Sequence, residues 1–538
     1  MYKPKTLRLI LCLAALSLPL LVLAAEKVDL LVINRIKAEA FENSKIMDHM
    51  FYLTDVNGPR LTGSPAYKGA ADWVVKRMTE YGLTAKEEKW GPFGRGWATK
   101  HFEAHLIEPQ YQPLIGVPLA WTAGTDGTVT GEPVMVKITV DADFEKYKGK
   151  LKGKVVMTAP AKQLAMQTTA SGHRLSDAEL ADESMAPEPG RSGFGFRPPG
   201  SPDGQPPATP EEMRQRREER RKFQDKLAQF WKDEGVLVLL SFGYNGDGGT
   251  VFASSGGPYD MKKPIAVTSV ALTPEHYNRI ARLMEHNIPV KLEFNIKNQV
   301  YEDQTDSVNV IAEIPGNSKK DEIVMLGAHL DSWHGGTGAT DNAAGSAVVM
   351  EAVRILKALN LNMDRTVRMA LWSGEEEGLL GSRAYVKEHF ADRETMKLSA
   401  EHSKLAGYFN YDNGTGKIRG IYLQGNDMAR PIFESWMEPF KDLGATTVTI
   451  RNTGGTDHQS FDAVGLPGFQ FIQDPMDYSS RTHHSNMDVY DHVQGGDLMQ
   501  ASAIMAAFVY NTAMRDEMLP RKPLPKPQPE RRPGGPTE

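Results

Sequence analysis

The chain has 538 residues, with 62 lysines and arginines against 68 aspartates and glutamates, a formal charge of −6 and one cysteine. A mildly acidic composition with no basic stripe gives no support to nucleic-acid binding, and a single thiol excludes an intramolecular disulfide framework. The length is far more than one small domain needs, so two or more domains are expected.

In chain order, the first element is an address. Lys3, Lys5 and Arg8 precede an apolar stretch over residues 9–23, followed by Ala24-Ala25 and the charged Glu26-Lys27. This is the basic, apolar and small-residue pattern of a signal peptide over residues 1–25, cleaved after Ala24 or Ala25. An uncleaved anchor is the competing reading, but the stretch is short for a membrane span. Cys12 lies inside it, and bulky Leu11 makes it a poor lipidation site. The expected location is periplasmic or secreted. Removing three basic residues would take the charge from −6 to −9.

Residues 27–90 read as helical; Ala70, Val74, Val75 and Met78 share a face and Gly82 is a stop signal. From 97 to 300 the texture becomes short β-like runs broken by glycine, near 127–131, 133–136, 153–157 and 237–242. Within that stretch, residues 184–210 are rich in proline and glycine and read as a mobile loop. Thr209-Pro210-Glu211-Glu212 then opens a charged helix over 211–234, with an apolar stripe at Phe223, Leu227, Phe230 and Trp231. From 301 onward strands near 309–314, 322–330, 366–373, 406–411, 421–424 and 469–472 alternate with helices near 343–359, 380–390 and 497–513. That alternation predicts an α/β fold with a doubly wound mixed sheet. The expected plan is therefore 1–25 signal peptide, 26–96 first part of the sheet domain, 97–300 β-rich insertion, 301–516 sheet domain, and 517–538 a proline-rich tail unable to pack a core.

The chemistry gathers at predicted strand ends. His329 ends an apolar run, Asp331 follows two residues later, Asp341 opens Asn342-Ala343-Ala344-Gly345, and Glu375-Glu376-Glu377 follows another apolar run. Mixed imidazole and carboxylate ligands suit zinc or a similar divalent ion, and carboxyl ends of strands in an open α/β sheet face the ligand crevice. Asp331, two residues from His329 on an extended segment, is placed to hold the second ring nitrogen. Taken singly, each has an ordinary explanation: a surface histidine, a helix N-cap at Asp341, a solvated acidic loop.

Together they resemble the co-catalytic di-zinc exopeptidases, a family of secreted bacterial aminopeptidases and plasma glutamate carboxypeptidase. The matching stretches are His329 with Asp331, Asp341 to Gly345, Glu375-Glu376 with Gly378-Leu379 and Gly381-Ser382, Asp412 after a strand, and His484-Ser485 with Asp488. Asp457-His458 with Phe461, ahead of Gly465-Leu466-Pro467, also matches. The resemblance implies two zinc ions bridged by Asp341, one completed by His329 and Asp412 and the other by Glu376 and His484. It implies Glu375 as general base, a cis peptide after Asp341, and a protease-associated-like character for the insertion. His483 competes with His484, and the spacing to Asp488 favours His484. Asp457 and His458 are candidate pocket residues, as are His334, Trp333 and Tyr478, each with packing or exposed-loop alternatives. The implied activity is hydrolysis of terminal peptide bonds in peptides or dipeptides. A single-zinc glutaminyl cyclase-like transferase and a non-catalytic ectodomain are the alternatives.

Overall fold

The computed structural model describes residues 26–189, 210–243, 246–303 and 305–527. The expected signal peptide, most of the proline-rich loop, the cap at Thr209 and the end of the tail lie outside these residues.

The larger body is built on an eight-stranded sheet. Its strands are β1 (Thr84–Trp90), β2 (Ser307–Ile314), β3 (Lys319–His329), β4 (Arg365–Trp372), β5 (Leu405–Asn410), β6 (Ile418–Tyr422), β7 (Thr447–Thr449) and β8 (Gly468–Gln473). They lie in the order β1-β2-β4-β3-β5-β8-β6-β7. The central four, β4, β3, β5 and β8, are mutually parallel, and antiparallel pairings flank them. Period-two alternation splits β3 between the two faces: Val324, Leu326 and Ala328 pack with helices Ala344–Ala358 and Gly495–Met514, whereas Ile323 and Met325 pack with helix Leu380–His389. Both faces are thus covered by helices. Among the described residues no helix is long and apolar enough to cross a membrane.

Two expectations fail here. Residues 84–90 are a strand, not part of the leading helical run. Their backbone pairs antiparallel with β2 at the sheet edge, where charged side chains can face water, so pairing overrides the polar composition. The tail does not stay unpacked from 519 onward. Leu519 is buried against the main core, the Arg521 guanidinium donates to Leu405 O, and Lys522 pairs with Asp462 at 2.6 Å.

Residues 96–301 form a second body. Its first and last strands, Gly96–Glu108 and Lys291–Tyr301, pair antiparallel, so the chain leaves and re-enters the main body at neighbouring points. A four-stranded sheet contains these two, and a five-stranded sheet is built on Val155–Met157, Val238–Phe242 and Ser269–Leu272 in parallel pairings. Helix Pro274–Glu285 closes their shared core with Tyr277, Ile280 and Ala281. Its stripe of apolar residues escapes a reading tuned to period two, so the β-rich body carries this helix in addition to the charged one expected over 211–234. Helix Pro210–Asp233 buries Trp231 near its end and sets Phe230 against Phe144.

Candidate metal centre

Four groups of residues leave the carboxyl ends of the four parallel strands and converge. His329 is the last residue of β3, Glu375 and Glu376 follow β4, Asp412 follows β5, and His484 lies on the loop after β8. Asp341 begins the turn into helix Ala344–Ala358. That helix start is pinned because a Cβ at Gly345 would lie 2.3 Å from Tyr411 O, so only glycine lets the helix approach β5. Asn342 completes the corner, donating to Tyr411 O and accepting from Gly345 N. The Asp341–Asn342 peptide bond is cis.

Asp341 sits between the two halves. Its Oδ1 is 3.3 Å from His329 Nε2, and its Oδ2 is 3.2 Å from His484 Nε2. On the first side Asp412 Oδ2 is 3.6 Å from His329 Nε2. On the second, Glu376 Oε2 is 2.9 Å from His484 Nε2. Glu375 Oε2 stands 4.0 Å from His329 Nε2. His483 Nε2 also approaches Asp341 Oδ2, at 3.7 Å, with its ring tilted by 31° against that of His484. Its side chain is the more exposed of the two, at 33% against 20%.

The electrostatics are those of a crowded anionic pocket. Burial, the largest effect, together with the charges of Asp412, Asp457 and Glu376, holds Glu375 well above the usual carboxylate range against the pull of His329. Burial and the Asp341 charge push Glu376 to about 7. Burial would raise Asp341 too, but the adjacent imidazoles of His329, His484 and His483 outweigh it and the group lies well below its ordinary value. Two oxygens here, Asp341 Oδ2 and Glu376 Oε1, are buried without a hydrogen-bond partner. Buried polar atoms without partners call for an explanation, and facing carboxylate and imidazole atoms within 4.8 Å of one another can converge on a cation. The donor set therefore fits divalent metal.

Asp331 departs from expectation. His329 Nδ1 donates to the backbone carbonyl of Asp331 at 3.0 Å, while the nearest carboxylate oxygen is 3.7 Å away. The carboxylate instead accepts from the backbone N–H groups of Glu375 and Glu376, each at 3.3 Å, and from Thr62 Oγ1 at 3.0 Å. Past His329 the strand ends, so period-two side-chain geometry no longer applies. Asp331 thereby fixes both the ring, through its carbonyl, and the two glutamates, through its side chain.

The structure does not open Asp457 and His458 to a pocket; both are fully buried. His458 Nε2 lies 3.1 Å from Thr453 O and 3.0 Å from Gln424 Nε2, and burial lowers it to about 4. The Asp457 carboxylate is buried behind the site and raised to about 7 by that burial. His334 is also packing, with Nε2 donating to Pro118 O at 2.6 Å and its ring against Trp97. Trp333 is buried edge-on to His484 and Trp121. Tyr478 lies against the His483 ring.

Two supporting residues escape sequence reasoning. Asp488, noted only for its spacing, accepts from the backbone N–H of Thr340 and of Asp341 and so orients the central carboxylate. Arg60 is fully buried and donates to four carbonyls, Leu330 O (2.6 Å), Leu53 O (2.7 Å), Thr337 O (2.9 Å) and Gly338 O (2.8 Å), bracketing the segment between His329 and Asp341.

Residues 309–509 match the model of peptidase family M28. Human Carboxypeptidase Q is 31% identical over 255 residues, 47% of this chain and 52% of that protein. Aminopeptidase YwaD of Bacillus subtilis (strain 168) is 29% identical over 231 residues, 42% of this chain and 49% of that protein. The chain spans about half the length of the curated relatives it matches. Among solved structures, a peptidase M28 precursor from Shewanella amazonensis SB2B superposes with a TM-score of 0.63 at 25% identity, covering 92% of this chain and 98% of that one. A zinc aminopeptidase from Bacillus subtilis has a TM-score of 0.52 at 19% identity, covering 88% and 96% of the two chains, and shares the fold. His329, Asp341, Glu375, Glu376, Asp412 and His484 thus all lie inside the stretch, residues 309–509, that matches the peptidase family M28 model.

Proposed function

We propose that the protein is a di-zinc metallo-exopeptidase that removes residues from a free end of peptides or dipeptides. The observation that carries this reading is the placement of Asp341 between two sets of ligand atoms, His329 with Asp412 and Glu376 with His484, with Glu375 beside them. His329, Asp341 and Asp412 would hold one zinc ion, and Asp341, Glu376 and His484 the other. A pair of such cations supplies activation of water and polarisation of the scissile carbonyl.

The protein groups divide the remaining work. Glu375 accepts a proton from the attacking water and returns it to the leaving nitrogen. Its neighbour Glu376 serves as ligand, and Asp331 makes that division possible because each of the two backbone N–H groups is tied to one carboxylate. Asp488 and Arg60 hold the segment from 330 to 341 in register. The inserted body packs against the site through the buried Trp121, which meets Trp333 beside His484, and would wall one side of the cleft there; a protease-associated-like role for it belongs to the same reading. A walled cleft admits a terminus more readily than a continuous chain, and holding that terminus lowers the barrier by positioning. The names of the relatives support a peptidase of either polarity, carboxypeptidase or aminopeptidase.

Export to the periplasm or medium completes the proposal and rests on residues 1–25; N-terminal sequencing of the natively produced protein tests it. The activity is tested by mass spectrometry of a long peptide with both ends blocked, set against its unblocked form, with metal analysis of the same preparation. Trimming of the unblocked peptide alone, with two zinc equivalents per chain, is the expected result. Efficient internal cleavage of the blocked peptide would overturn the exopeptidase reading.

A further inference from the structure

The loop that carries His484, residues 474–486, consists mostly of polar and small side chains and has little apolar surface with which to fix itself. His484 stands at φ 62°, in the left-handed region that non-glycine residues rarely adopt. A ligand in such a conformation must be held by its surroundings. The inserted body holds it at both ends. At the start of the loop His173 and Met476 exchange backbone hydrogen bonds of 3.1 and 3.0 Å, and Leu175 N donates to Asp474 Oδ1 at 2.9 Å. In the middle Ser480 Oγ donates to Ser171 O and Arg481 Nη1 to Thr250 Oγ1, each at 2.7 Å. At the end Ala253 N donates to His484 O at 2.9 Å and Asn486 N to Val251 O at 3.0 Å. Asn486 adds its side chain, accepting from Val251 N at 2.7 Å and donating to Gly249 O at 3.2 Å.

The other half of the centre is anchored mainly by the main sheet itself. His329 and Asp412 stand at the ends of strands in the middle of the main sheet. We infer that the inserted body is a clamp for His484: residues 171–175 and 249–253 fix its loop, Asn486 is a positioning residue, and the Glu376–His484 half retains its cation only while these contacts persist. The insertion is then part of the metal centre's architecture and not only a wall of the cleft. This rests on the dinuclear reading above.

The test uses the full-length zinc-loaded protein and reads bound zinc against rising chelator, with hydrogen exchange of residues 476–486 alongside. In Asn486→Ala one zinc equivalent should leave at a chelator concentration at least about tenfold lower than in the parent, while the second leaves at the parent's concentration and exchange of 481–486 rises. Ala253→Pro, which removes the N–H donated to His484 O, should do the same and replaces Asn486→Ala if that variant does not fold. Lys226→Ala, which breaks only the pair with Asp141 elsewhere in the insertion, should leave both equivalents in place. Release of both equivalents together, or of neither, from both clamp variants overturns the clamp. A parent protein that holds a single equivalent overturns the dinuclear reading instead.

Discussion

Arg60 gives the sharpest energetic prediction. Its guanidinium is fully buried, and burial, against the attraction of Asp488, Asp331 and Asp341, brings its pKa down to about 10. Relative to its ordinary value of 12.5, that is a penalty of about 3 kcal/mol on the charged form. Arg60→Ala recovers that penalty. It also removes four hydrogen bonds from a charged donor to Leu330, Leu53, Thr337 and Gly338 carbonyls. Bonds of this kind contribute about 1.5–3 kcal/mol each, and a buried carbonyl left without its donor costs about 1–3 kcal/mol. The losses therefore come to about 6 kcal/mol or more, and the net destabilisation should be about 3 kcal/mol or larger, in the range that marks a broken buried network. Urea unfolding followed by circular dichroism, with the slope compared between parent and variant, measures it. Arg60→Lys should fall between the two, because an ammonium has three donors and no planar fork. A loss below about 1 kcal/mol in Arg60→Ala would refute the argument, since solvent would then be replacing the guanidinium at no cost.

Three further outcomes follow from the site and the fold. Glu375→Gln should lower kcat by about 10²–10⁴ while both zinc equivalents stay bound, because it removes a base and no ligand; elemental analysis showing a lost equivalent would exchange the roles of Glu375 and Glu376. His484→Ala should lose one zinc equivalent and His483→Ala none, since His484 alone stands within 2.9 Å of Glu376, and paired metal analyses decide between them. Burial first, then the charge of Arg77, holds His49 at about 3 from an ordinary 6.5, so the folded chain leaves it neutral where the unfolded chain protonates it. That stability is present above pH 6.5 and is lost as pH falls toward 3; in thermal melts from pH 7 to 4, His49→Gln should show a shallower fall in Tm than the parent.

His329 and the Glu375-Glu376 pair were legible from the residues themselves because they end or closely follow an apolar run that reads as a buried parallel strand, where a polar residue faces the crevice; Asp341, Asp412 and His484 joined them as ligands only through the family resemblance. The supporting residues were not legible, and the reason is range. Arg60 lies in an Asn-Gly-Pro-Arg stretch that reads as a surface turn, and its partner Leu330 is 270 residues away. Nothing local distinguishes it from a solvated arginine. Asp331 was misread for the opposite reason: extended-strand geometry was carried two residues past the end of the strand at His329, where the carbonyl replaces the side chain as the partner of the His329 ring. β1 was missed because its charged composition argues against a strand until an edge position beside β2 is supplied. The same logic explains why the clamp on His484 was invisible. Residues 249–253 are a short glycine-led, largely apolar segment and 484–486 a polar one, with nothing in either to name the other as partner, and only the folded insertion brings their backbones into pairing. Ligand rigidity, in contrast to ligand identity, is supplied by hydrogen bonds from distant segments. A relative that kept every ligand but lost Arg60, Asp488 or Asn486 would match the same sequence pattern and still bind metal loosely.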